Sequence, residues 1–250
     1  MNHRLQKIDL ATLRTAHKGL LLDKFMPVKS SDAKKEEQSF FEPLSRIARV
    51  DSAHPAYRLA FERWRAYAAG LPEAVRILGA VRGRMAIGLG AKGTSEIGCR
   101  LHHSYGVPMI PGSSLKGALR AALEHAPPSK SGVDWQQQAD FLFGNQDSAG
   151  FARVFDAWWV PDPGKSGLSV DVVTGHHQDY NSGKPGSAPT DFDSPIPNHY
   201  LTVTGKFLFV VQAPNQSWSQ FLEKLLKQTL DTNGIGSKKS SGYGRFHQWS

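Results

Sequence analysis

Ser113, Ser114, Lys116 and Arg120 stand together in Ile110-Pro111-Gly112-Ser113-Ser114-Leu115-Lys116-Gly117-Ala118-Leu119-Arg120. Pro111 disfavours a helical backbone at Ile110, and Gly112 turns without steric cost. Ser113 or Ser114 is placed to accept from the first free N–H groups of a helix. Leu115, Ala118, Leu119, Ala122 and Leu123 then keep helical spacing along one apolar face. Lys116 and Arg120, four apart, share another face. Free N–H groups at a helix start beside two cations describe an anion site, and phosphate is its commonest occupant. The plainer alternative is a serine-capped helix with a solvated lysine.

A second stretch of the same chemistry lies near the other end, at 234–246 (GIGSKKSSGYGRF). Successive backbone N–H groups in a glycine-rich turn form a concave nest for anions. Gly236, Gly242 and Gly244 supply the turn, Lys238, Lys239 and Arg245 the charge, and Tyr243 a ring for stacking. The GK[ST] ending and following helix of a Walker loop are missing. A sharp turn that needs glycine for geometry alone is the competing reading.

The histidines suit a different chemistry. His102-His103 and His176-His177 are adjacent pairs, which on a strand point to opposite faces and chelate poorly. There is no HExxH spacing, and Cys99 is the only cysteine, so neither a metal nor a cofactor is expected. His102 and His176 with Tyr180 are nonetheless the candidates for a metal-free ribonuclease. Asp191 and Asp193 sit in a proline-rich tract and suit turn bonding. Trp158 and Trp159 face opposite ways on a strand, one toward the core.

The chain of 250 residues carries 30 basic and 22 acidic side chains, a net charge of +8 and a pI near 9.6. Such a surplus suits a polyanionic partner and is silent about fold. One cysteine excludes an intrachain disulfide. No signal-peptide pattern opens the sequence, and no apolar run approaches the roughly 20 residues that span a bilayer. A cytoplasmic protein without membrane contact is the expectation.

Around these residues the periodicities predict a helix over 55–79, a strand over 81–89 and a helix over 113–125. Further on come a helix over 135–143, a strand over 151–160 and one strand covering 199–211. A helix over 217–230 and a strand over 243–249 close the chain. Residues 29–42 read as an exposed connection and 181–198 as an insert loop within a single domain spanning 1–250. Without the insertions the order is βαββαβ. That predicts an α+β, ferredoxin-like (RRM-like) domain: a four-stranded antiparallel sheet, two helices on one face and the other face free for ligands.

IPGSSLKGALR at 110–120, with a glycine loop ending GYGRF at 242–246, resembles the RAMP superfamily of CRISPR proteins. GLLLDKF (19–25), VVTGHHQDYN (172–181) and PTDFDSPIPNHYLTV (189–203) are similar, more narrowly, to the sixth-subunit family of type III-B (Cmr) effector complexes. The resemblance implies an RRM-like fold in a ribonucleoprotein for antiviral, RNA-guided interference. It implies a place near the guide-RNA 3′ end, beside a backbone RAMP subunit, a small helical subunit and a neighbouring RAMP subunit. It implies contact with guide RNA and target RNA, and no catalysis. By position it makes RNA contacts of Ser113, Ser114, Lys116, Arg120, Gly236, Lys238, Lys239, Gly242, Gly244 and Arg245. Two rivals stand beside it: a RAMP-fold endoribonuclease using histidine acid–base chemistry, and a pure protein-interaction subunit that docks through 181–198.

Overall fold

The computed structural model describes residues 16–24, 26, 33–90, 98–128, 132–175, 178–183, 186, 188–190 and 196–250. The histidine pair 176–177, Asp191 and Asp193 lie outside them, as does much of the expected insert.

Among the described residues three helices come first: α1 (Lys18–Lys24), α2 (Ala33–Ala48) and α3 (Pro55–Ala69). The expected connection at 29–42 is therefore helical from Ala33 onward. Its Ala, Lys, Glu and Gln residues are strong helix formers, and the helix is anchored by Leu44 and Ile47, which are buried. The α3 helix stops at Ala69, short of the predicted 79, because Gly70-Leu71-Pro72 breaks it and Glu73 turns with φ +56°.

The following residues form β1 (Ala74–Val81), which begins seven positions upstream of where the alternation placed a strand. Residues 85 and 86 of the predicted strand keep only isolated bridges, to Val203 and Ser237. Next come β2 (Met109–Ile110), α4 (Gly112–Glu124), α5 (Trp135–Phe143), β3 (Arg153–Val154) and β4 (Ala157–Trp159). The expected strand at 151–160 is thus broken in two. Between Val154↔Val211 and Trp158↔Leu208 it advances four residues against three, the signature of a β-bulge.

The segment expected as one strand over 199–211 is two. β6 (Ile196–Val203) pairs antiparallel with β5 (Leu168–Gly175) in a separate sheet, after the short helix α6 (Gln178–Asn181). Gly205, at φ +98°, then turns the chain into β7 (Lys206–Gln212). The chain ends with α7 (Gln216–Thr232), a 3₁₀ turn at Lys239–Ser241 and β8 (Phe246–His247).

The main sheet has six strands, not four, in the order β2-β4-β7-β1-β8 with β3 also on β7. The architecture is α+β and antiparallel. Every residue of Phe207–Val211 is buried, so neither face of the central strand is open. The Trp158 face, expected to be free, is covered by α3. Tyr57 stacks on Trp158 at 5.9 Å and Trp64 at 6.0 Å, and the Tyr57 hydroxyl donates to the Trp159 carbonyl at 2.5 Å. Among the described residues no helix is long and apolar enough to cross a membrane.

Lys18 ties the N-terminal segment to this body. It is 2 % exposed. Its ammonium bonds the Ser52 hydroxyl and, at 3.1 Å, the Ser166 carbonyl. Burial pushes the Lys18 amine down to about 7, against the opposing pull of Asp51. The unfolded chain therefore holds this proton more tightly. Lys18 weakens the fold most below pH 7, and the penalty lifts as pH rises toward the ordinary lysine range. Thermal melts should show wild type gaining stability between about pH 7 and pH 9, and Lys18→Met losing most of that gain. An identical rise in the variant would contradict this.

Candidate nucleic-acid interface

At the start of α4 the chain has no room for a side chain. A Cβ on Gly112 would lie 2.3 Å from the Val154 carbonyl oxygen. The β-bulge presents Asp156 to this point, and its carboxylate accepts from the Gly112 N–H at 2.7 Å. Pro111 occupies the cap position, and no serine side chain caps the helix. The expected serine cap is thus replaced by a carboxylate from another element, which answers part of the helix-start charge. Ser113 and Ser114 instead hold exposed positions in the first turn.

The stripe of Leu115, Leu119 and Leu123 is buried as predicted. Lys116 is half-buried and has no ion-pair partner among the described residues. Arg120 is committed elsewhere: its guanidinium bonds Glu124 at 2.7 Å, Asp140 at 2.6 Å and the Gly144 carbonyl. It bolts α4 to α5 and is not a free phosphate donor.

The glycine loop is set by close backbone approaches. A Cβ on Gly236 would lie 2.3 Å from the Ala86 oxygen, and one on Gly244 would overlap the Ile235 oxygen. Gly242 adopts φ +86° with open space around it, so its demand is conformational. Lys239 is exposed. Lys238 takes a left-handed conformation and holds its ammonium 4.6 Å above the Tyr200 ring. Arg245 is half-buried, its Nε enclosed without a partner.

Tyr243, expected as a stacking ring, is pinned through its hydroxyl. It donates to Asp171 at 2.6 Å and receives from Tyr200 at 3.1 Å. Arg84 reaches the same Asp171 oxygen at 2.9 Å. Burial alone would raise the Asp171 carboxyl, but the bonds from Tyr243, the Val172 N–H and Arg84 outweigh it and hold it below the usual range.

The helix start and the loop do not touch. A ladder of backbone bonds joins them: Ser237 N–H to Ala86, Arg100 N–H to Ile87, and Met109 N–H to Arg100. Three strand spacings separate the two, roughly 14 Å. The intervening segments carry Arg84 and Arg100, both exposed. Neither was singled out as a site residue, because only the ladder places them between Lys116 and Lys238. Asp156, Asp171 and Tyr200 also gave no local signal.

His102 lies two residues beyond Arg100, in the hairpin that leads into β2. Its ring lies 4.8 Å from Tyr105 and 4.9 Å from Trp158. Its Nδ1 accepts from the Ser104 N–H at 3.2 Å, and burial lowers its pKa against the pull of Asp156. Tyr180 is exposed. Burial pushes the Cys99 thiol up to about 12, which leaves it protonated and a poor nucleophile. Among the described residues no group of three or more His, Cys, Asp or Glu is placed to hold a metal ion.

Residues 81–247 match the family model of the RAMP superfamily. The chain is 26% identical over 252 aligned residues to the CRISPR system Cmr subunit Cmr6 of Pyrococcus furiosus, spanning 76% of this chain and 74% of that protein. It superposes with a TM-score of 0.64 on a chain in the cryo-EM structure of the type III-B Cmr-beta bound to cognate target RNA. That likeness covers 89% of this chain and 78% of the other at 20% identity, and it is one of fold.

If Arg120 is a bolt, Arg120→Met should lower the urea midpoint of unfolding while single-stranded RNA affinity stays at the wild-type value. Lost RNA affinity at unchanged stability would return Arg120 to the binding surface.

Proposed function

The chain belongs to the RAMP superfamily, and on that premise we propose that it is a subunit of a type III-B (Cmr) CRISPR effector ribonucleoprotein. In this reading it works in the cytoplasm and grips the RNA backbone without cutting it. The observation that carries the reading is the exposed cationic track. Lys239 and Lys238 stand at one end, Arg100 between, and Lys116 with the Ser113 and Ser114 hydroxyls at the other, while Arg84 is held by Asp171 and the Val170 carbonyl. Ammonium, guanidinium and hydroxyl donors carried on neighbouring segments suit successive phosphates and sugars rather than base edges. Such contacts ignore sequence, as a subunit that accepts any guide must.

Gly236 and Gly242 are exposed at positive φ and keep side chains away from the strand's path, whereas Gly244 is buried, its N–H bonded to the Arg84 carbonyl and its carbonyl to the Ile235 N–H. Asp156 and Asp171 hold the two ends in place from behind. The strands β8-β1-β7-β4 are read as the RRM-like core, with β2 and β3 as additions. The partners are guide and target RNA, together with a backbone RAMP subunit, a small helical subunit and a neighbouring RAMP subunit near the guide 3′ end. The noncatalytic reading is supported by His102, whose ring is wedged between two aromatics with Nδ1 already engaged.

A fluorescence-anisotropy salt titration with labelled single-stranded RNA tests the proposal. Replacing Lys116, Lys238 and Lys239 by Ala should flatten the slope of log affinity against log salt by about 2. The RNA should remain intact throughout. An unchanged slope, or RNA cleavage that His102→Ala abolishes, would overturn it.

A further inference from the structure

Beyond the Arg120–Asp140 contact that joins α4 to α5, the molecule shows a surface of different character. Phe151 is 61 % exposed and Phe141 37 %. Their ring centres lie 4.8 Å apart, and Phe141 is 5.4 Å from Trp218. Trp218 meets Phe221 at 5.7 Å, and Phe221 meets Trp135 at 6.4 Å. Five rings thus run in unbroken contact over α5, α7 and the turn after α5. Trp135, Trp218 and Phe221 are half-buried against the core and fix the ribbon in place, while Phe141 and Phe151 form its uncovered end, an apolar pair of the kind that marks an interaction site or an aggregation hazard.

The ribbon borders an open groove of about 590 Å³. Asp134 and Asp140 line it with glutamine and asparagine side chains; Asp140 is already paired with Arg120 at 2.6 Å, so Asp134 is the carboxylate of the lining left to a ligand. Asp147, in the turn beside it, is exposed and has no ion-pair partner among the described residues. On a chain of net charge +8 this is a local reversal of sign. It repels a polyanion, so the ribbon is not a continuation of the RNA track. It attracts a cation, and its rings offer apolar contact area, the combination found where Arg and aromatic anchors bury themselves at protein interfaces.

We infer that this groove docks a segment of a neighbouring protein subunit in which an aromatic or aliphatic anchor is flanked by Lys or Arg. The anchor lies between Phe141 and Phe151, and the cation faces Asp134 and Asp147. The inference rests on the effector-subunit reading.

The test is co-expression of the full chain with the other subunits of its effector complex, read by native mass spectrometry. Phe151→Glu, at the most exposed ring, should weaken capture of one neighbouring subunit about tenfold. Asp147→Lys should weaken the same subunit. Both variants should keep the wild-type melting temperature and RNA salt slope, whereas Lys238→Glu should lose RNA affinity and keep the subunit. Full capture by both groove variants would overturn the docking site and leave the effector-subunit reading standing. A wild-type dimer that Phe151→Glu dissolves would give the groove to a second copy and overturn the inference. Wild type that binds RNA yet captures no subunit would defeat the effector-subunit reading and this inference together.

Discussion

The Asp171 carboxylate is the point on which the interface depends. It belongs to β5, in the smaller sheet, yet it accepts from Tyr243 in the glycine loop and from Arg84 beyond β1. Three parts of the chain remote in sequence meet at one oxygen. A loop with positive φ at Gly234, Gly236, Gly242 and Gly244 loses much backbone entropy on folding. Charge-assisted bonds to an ionised acid offset that loss more than neutral ones would. Since its folded pKa is depressed, Asp171 stabilises the fold above the ordinary carboxylate range. That contribution fades as pH falls through the lowered value. Lys238, resting on Tyr200, inherits its position from the same cluster.

The start of α4 follows the opposite logic. Much of its anion-binding equipment is used within the fold. Asp156 takes the Gly112 N–H and Arg120 takes Glu124 and Asp140. The helix is thereby fixed against the bulged strand and against α5, and what remains outward is two hydroxyls and Lys116. A motif rich in cations and caps can thus be mostly architecture, with only its residue left over available to a ligand.

Features whose cause is local were legible in the sequence. Trp135–Phe143 and Gln216–Thr232 match the predicted helices because Asp134 and Asn215 cap them beside clear apolar stripes. The glycine turn was legible because positive φ is a property of the residue itself. Features caused by remote partners were not. Residues 74–79 looked helical, because their strand identity comes from pairing with Lys206–Gln212, far along the chain. Leu168–Gly175 and Ile196–Val203 read as loop and as part of a longer strand because each needs the other. Residues 29–42 read as a connection because the residues that anchor the helix, Leu44 and Ile47, lie beyond that polar run. Arg84, Arg100, Asp156 and Asp171 joined the site only through the fold that brings them there.

The reading of the molecule as an RNA clamp with a separate acidic docking face stands or falls on where a ribonucleotide strand lies. Photo-crosslinking of labelled RNA, with the attached peptides identified by mass spectrometry, measures this directly. Crosslinks should concentrate on peptides bearing Lys116, Arg100, Lys238 and Lys239. Crosslinks confined to other peptides, above all those of the Phe141–Phe151 face, would contradict it.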